Sequence, residues 1–339
     1  MMLSLVVLAS AVLANVCLEK NAERLKEWRD LTDVEKKGYV DAVRCLADAT
    51  KAKKRLQMKL PFDLKSQTES VSRHDDFSLV RLRSRVITDM LVSLPWHRVF
   101  LRLYDHALRK DCGYTGAIPY WDLSIDGFKT PSIWQYFNNL QITSSIPVQH
   151  PVIRGRMPAG IERLFSADRV RKALSIPNYN DFRVWLENTL LAALQKINGG
   201  ANLLHLLLKT KGDLQLMETA ANDPLFYLIR RYADRLWYLW QKTQTKGFFL
   251  YRTPGKTAHE FQPMFFYGLS TVTFDPNARD VVGERYSDDD DISVDAGLNP
   301  LSGRVNGLMC YVYEDPKTQT TQRWNPVANS MNWRPLRRQ

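Results

Sequence analysis

Metal-binding and redox signatures are thin in this chain. Its 339 residues hold four cysteines, Cys17, Cys45, Cys112 and Cys310, far apart and with no C-x-x-C spacing. That pattern argues against a zinc knuckle or a dithiol redox centre. Apart from the first residues, no stretch is apolar for long enough to cross a bilayer, so no membrane partner is expected once that segment is removed. There is no N-x-S/T sequon and no internal repeat. Zinc-finger spacing, an RNA-binding aromatic motif and a basic zipper are all missing, although the net charge is +11 and the sequence pI near 9.4. The basic residues are scattered among Trp, Tyr and Leu, the densest clusters being Lys51 to Arg55 and Arg334 to Arg338, so nucleic acid is not expected as a partner.

What is present points to a folded domain. A composition 45% hydrophobic and 11% aromatic supplies the material for one large core or two closely packed lobes. The opening run MMLSLVVLASAVLA has the length of a signal-peptide core and ends in small residues before a charged stretch. We therefore expect residues 1–16 to be a secretory signal cut near Ala14, with 17–339 as a single domain in the secretory pathway or outside the cell. In that setting four cysteines are compatible with two disulfides, and sequence alone permits three pairings.

Apolar positions recur at helical spacing from Asn21 to Ala49, which reads as two short helices, with Thr32 or Asp33 able to cap the second. Helical patterning resumes from Val71 to Leu108 and is interrupted at Pro95, where one helix should end near Ser93 and another begin. Residues 112–130 should form an irregular aromatic loop, and Pro131 to Arg171 stays loop-like. Two more helices are expected at Tyr179–Lys196 and Leu225–Lys242. DDDDI at 288–292 reads as a solvated acidic loop.

Two segments carry a resemblance. LPWHRVFLRLYDHALRKDCGYTGAIPYWD at 94–122 is similar to the first copper-site region of fungal tyrosinases and catechol oxidases: Trp-His-Arg, an acidic residue, Cys-Gly-Tyr-x-Gly, then Pro-Tyr-Trp-Asp. ANDPLFYLIRRYADRLWYLWQ at 221–241 resembles the second, with its Asp-Pro-x-Phe start and Asp-Arg-Leu-Trp end. SRHDDF at 72–77, ENTLLAALQKINGG at 187–200 and LMCYVYED at 308–315 match in order. The resemblance covers nearly the whole chain and implies a mainly α, tyrosinase-like fold: a four-helix-bundle core with long irregular loops and few short strands. The motifs that flank the cysteines imply the pairs Cys45–Cys112 and Cys17–Cys310. Asp234 and Arg235 fall on the family's scaffold pair, and Trp96, Trp121, Trp237 and Trp240 are expected in the core.

The family holds two coppers with three imidazoles each, because neutral imidazole nitrogen suits copper and three ligands leave an open face. Of the six ligand positions only one, His97, is histidine here. The others fall on Arg81, on Thr88 or Asp89, on Leu191 and Gln195, and on the pair Ile229 and Arg230. Guanidinium is always protonated and has no lone pair to donate, so two of the replacements repel a cation. No metal and no other cofactor is expected, and copper oxidase chemistry is excluded on these ligands. The remaining histidines, His74, His106, His150, His205 and His259, miss the ligand positions and read as surface or loop residues.

The resemblance places these residues at the centre of the bundle, beneath loops that admit an aromatic substrate. The expected catalytic set is His97, Arg81, Arg230 and Gln195, walled by Thr88, Asp89, Leu191 and Ile229. Donors aimed at a developing oxyanion and a histidine titrating near neutrality suit cyclisation, isomerisation or lyase chemistry. The substrate would be an aromatic, phenolic or polyketide- or peptide-like metabolite. Two bland alternatives stand beside this. Asp89, Asp105 or another carboxylate neutralises each arginine and the pocket is filled, or the chain is a non-catalytic protein partner of an active relative.

Overall fold

The computed structural model describes residues 17–54, 70–83, 93–125, 132–146, 149–152, 163–197, 212–215, 219–244, 263–265, 291–293, 297–303 and 307–317. The expected signal segment, the acidic run before residue 291, His205 and His259 lie outside them.

The principal helices start where short polar side chains satisfy the free N–H groups of a first turn. In α1 (Asp33–Leu46) Thr32 accepts from the Glu35 amide and Glu35 accepts from the Thr32 amide, a reciprocal capping box. The same exchange opens α2 (Arg73–Arg83), between Ser72 and Asp75. Asp75 goes further: its oxygens also accept from Ser145 N and from the hydroxyls of Ser144 and Ser145. Helix α3 (Ser93–Cys112) carries Pro95 in its first turn, where the missing amide proton costs nothing. The break expected at Pro95 is thus a helix start. Short helices α4 (Ser132–Asn138) and α5 (Ala167–Leu174) precede α6 (Tyr179–Ile197) and α7 (Leu225–Thr243), and the Asp223 carboxylate accepts the first amide of α7.

Strand β1 (Glu23–Glu27) lies at the centre of a three-stranded sheet, flanked by β2 (Pro119–Tyr120) and β7 (Tyr311–Tyr313), both parallel to it. This corrects the expectation of a helix at residues 21–31. Leu25, Trp28 and Leu31 have helical spacing, but the backbone between Glu23 and Glu27 is claimed by partners far along the chain. Two antiparallel pairs complete the strands: β3 (Thr143–Ser144) with β4 (His150–Pro151), and β5 (Pro263–Phe265) with β6 (Asp291–Ser293). The segment from Pro131 to Arg171, expected as loop throughout, contains α4, this hairpin and the start of α5.

Helices α2, α3, α6 and α7 form the bundle. Phe77 of α2 meets Phe100 and Tyr104 of α3, Tyr104 stacks on Tyr227 of α7 at 3.6 Å, and Phe182 of α6 stacks on Trp240 of α7 at 4.9 Å. Trp96, Trp121, Trp237 and Trp240 are all buried in this core, as expected. The disulfides are Cys45–Cys112, joining α1 to the end of α3, and Cys17–Cys310, joining the first described residue to the approach to β7.

Candidate functional site

The family motifs turn out to be a set of buried ionic braces that fix the helices around the site. Arg98, one residue after His97, donates from Nε to Asp234 at 2.6 Å and from Nη1 to the Leu298 carbonyl at 2.7 Å, with its guanidinium 3.7 Å from the Trp237 ring centre. Asp234 also accepts from the hydroxyls of Tyr311 and Tyr313, each at 2.6 Å. The Trp-His-Arg, Asp-Arg-Leu-Trp and Tyr-Val-Tyr motifs are therefore one cluster. Asp234 does not pair with its neighbour Arg235, which instead reaches Asp315 at 2.9 Å and lies over Tyr120. Asp105 accepts from Arg102 at 2.9 Å and from Arg231.

Adjacent arginines of α7 thus diverge. Arg231 turns toward Asp105 and the Tyr39 hydroxyl, whereas Arg230 turns toward α6 and donates from Nη1 to Glu187 at 2.9 Å. The other Glu187 oxygen accepts from Ser93 Oγ at 2.6 Å. Asp105 was one candidate to neutralise an arginine of the site, and it is engaged elsewhere. The carboxylate that serves Arg230 is Glu187, which sequence reasoning passed over. Its signal was present, because Glu187 stands one helical turn before Leu191 on the face that carries the ligand positions.

His97 lies one turn after Ser93 in α3 and is 4% exposed. Its Nδ1 sits 2.8 Å from the Ser93 carbonyl oxygen, which can only accept. Nδ1 therefore carries the proton and Nε2 the lone pair. That Nε2 is buried and has no hydrogen-bond partner among the described residues. Burial, then the charges of Arg230 and Arg81, hold the His97 pKa well below its ordinary 6.5. The expectation of a histidine titrating near neutrality is corrected: the imidazole is neutral at physiological pH.

Arg81, in α2, is buried, and its charge is one of the two that act on His97. Ile229 is fully buried, while Leu191, expected in the pocket wall, is 37% exposed. Gln195 belongs to α6, but its side chain lies outside the described residues, as do Thr88 and Asp89. His74 reads differently from expectation. It is fully buried, with Nε2 donating to the Asn222 carbonyl at 3.0 Å and Nδ1 facing the Tyr104 hydroxyl at 3.3 Å, and it ties α2 to α3 and to the approach to α7.

A copper pair does not fit the donors among the described residues. One imidazole faces two guanidinium groups, and a guanidinium already paired with a carboxylate occupies the neighbourhood a metal cation would need. Among the described residues no three His, Cys, Asp or Glu side chains gather closely enough to hold a metal ion.

The common central domain of tyrosinase matches residues 65–155 and 143–243, and the chain belongs to the tyrosinase family. Tyrosinase-like protein phomQ1 of Diaporthe leptostromiformis is 26% identical over 337 residues, covering 85% of this chain and 77% of that protein. N-acetyl-6-hydroxytryptophan oxidase ivoB of Emericella nidulans is 38% identical over 125 residues, covering 35% of this chain and 32% of that protein. In structure, a polyphenol oxidase variant from Thermothelomyces thermophila superposes with a TM-score of 0.56 at 18% identity, covering 88% of this chain and 90% of the other. An octopus hemocyanin functional unit gives 0.53 at 17% identity, over 87% and 68%. These structural likenesses show the mainly helical fold.

Proposed function

We propose that this tyrosinase-family protein performs a metal-independent cyclisation, isomerisation or lyase step in secondary-metabolite biosynthesis, at the place where the family holds copper. The observation that carries this reading is the His97 imidazole: a neutral base whose buried Nε2 has no partner among the described residues, set among cationic rather than metal-binding neighbours. Preorganised guanidinium donors stabilise an oxyanion as it develops, and a positioned imidazole moves the proton. An aromatic, phenolic or polyketide- or peptide-like small molecule is the substrate class. An oxidase of a hydroxytryptophan among the relatives supports the aromatic part of that class. Two disulfides, and the absence among the described residues of any helix long and apolar enough to cross a membrane, support a secreted protein.

Elemental analysis of the purified, tag-free protein for copper and zinc tests the reading. Near-zero metal, with no oxidation of catechols after copper is supplied, is the expected result. Stoichiometric copper, or oxidase activity restored by it, would overturn it.

A second reading is favoured by the Arg230–Glu187–Ser93 chain, which neutralises one arginine internally. On that reading the domain is a non-catalytic subunit that keeps the outer scaffold and binds an active relative. Co-purification of a stoichiometric partner oxidase, with no turnover by the isolated chain, would select it.

A further inference from the structure

We propose that His97 and Arg230 form a one-base proton shuttle for an enolisable carbonyl compound, with Arg230 holding the enolate oxygen while His97 Nε2 carries the proton between two carbons. The proposal rests on reading the site as a metal-independent acid–base centre and specifies its chemistry.

Four observations converge on this pair. The Ser93 carbonyl fixes the His97 tautomer, so Nε2 is an acceptor by construction. Arg230 is held at Nη1 by Glu187, and its Nε is buried with no hydrogen-bond partner among the described residues. Both groups flank one aromatic ring: the Arg230 guanidinium lies 5.6 Å from the Phe226 ring centre and the His97 ring 6.4 Å from it. The Trp96 ring stands edge-on to His97 at 5.0 Å and is itself fully buried, which sets an apolar surface against the imidazole. An acceptor and a donor that are both buried without partners among the described residues, around one aromatic ring, each cost stability unless a ligand supplies the complement. A carbonyl compound with an acidic C–H does so, offering the hydrogen to Nε2 and the oxygen to the guanidinium.

The electron count closes without an oxidant. The C–H bond beside the carbonyl breaks, its proton forms an N–H bond at Nε2, and the electron pair moves to the carbonyl oxygen as an enolate. The imidazolium then returns its proton to the same carbon or to the far end of a conjugated system. The N–H bond breaks, the new C–H bond forms, and the carbonyl is regenerated. The two cations that disfavour imidazolium in the free protein are offset once the enolate is there, so the imidazolium is stabilised when, and only when, the intermediate exists. Stabilisation confined to the intermediate accelerates the step, whereas equal binding of the neutral ketone would not.

Two probes on the full chain test this. 4-Nitrophenol stands for the enolate oxygen and reports its own ionisation by colour, and phenylpyruvate in D2O reports proton transfer by loss of its methylene signal in NMR. The expected results are a bound yellow phenolate at a pH where free probe is colourless, and protein-accelerated exchange. His97→Phe should keep the phenolate band and lose about a hundredfold in exchange. Arg230→Gln should lose the band. Should Arg230→Gln fail to fold because Glu187 is left unpaired, the double variant Arg230→Gln, Glu187→Gln removes the stranded charge and must show the same loss. No binding, binding only as neutral phenol, or exchange unaffected by His97→Phe overturns the shuttle. Exchange that depends on added copper or zinc overturns the metal-independent reading itself. A metal-free protein with no exchange overturns the shuttle alone.

Discussion

At the scale of single residues, the same protein surroundings push titratable groups in opposite directions, and each shift has a consequence that can be measured. His97 has a native pKa well below 6.5, so between 6.5 and that lower value the unfolded chain binds the extra proton and the native state does not. Stability should therefore fall as pH drops below 6.5, and His97→Phe should flatten that part of the curve. Nitrogen NMR should show the imidazole neutral near pH 7, with the proton on Nδ1. Glu27 behaves in reverse. Burial raises its carboxyl to about 7, against the opposing effect of Arg29 at 2.5 Å. Its native state holds a proton that the unfolded chain loses above 4.5, so the contribution is complete below 4.5 and is lost as pH rises through about 7. The span corresponds to roughly 3 kcal/mol. Urea unfolding of Glu27→Gln across that window should show the wild-type decline removed.

At the scale of elements, the site is a junction of helices. Ser93 and His97 come from α3, Glu187 from α6, Arg230 from α7 and Arg81 from α2. Arg230→Met should cost about 3–5 kcal/mol by stranding Glu187, and adding Glu187→Leu should restore most of it. Chemical unfolding of the single and double variants checks this. Helices α6 and α7 were legible in the sequence almost to the residue, because nineteen residues of sustained periodicity leave little ambiguity. Strand β1 was not, since its five residues take their conformation from pairing with residues 119–120 and 311–313, which no local window contains. Helix α4 hid for a different reason: seven residues between turn formers give too short a pattern. For the site, the replaced ligand positions could be read by register, and Glu187 could be placed on the same face of α6, but its pairing with Arg230 could not be read. Which of many carboxylates meets a given arginine depends on how α6 and α7 cross, and that is a property of packing.

At the scale of the molecule, the disulfides close loops of very different length, with sequence separations of 67 and 293. Chain-entropy arguments give about 4 and 6 kcal/mol for such loops. Reduction should lower the melting temperature, with Cys17→Ala, Cys310→Ala costing more than Cys45→Ala, Cys112→Ala under matched scans. Strand β1 has a further meaning on this scale. Its partner β7 follows far along the chain, yet β1 is the middle strand of its sheet. On a ribosome the early strand must therefore stay half-paired, with one edge open, until residues 311–313 have emerged. In that same interval Cys17 lacks its partner Cys310, so closure of the sheet and formation of this disulfide wait on the same late segment.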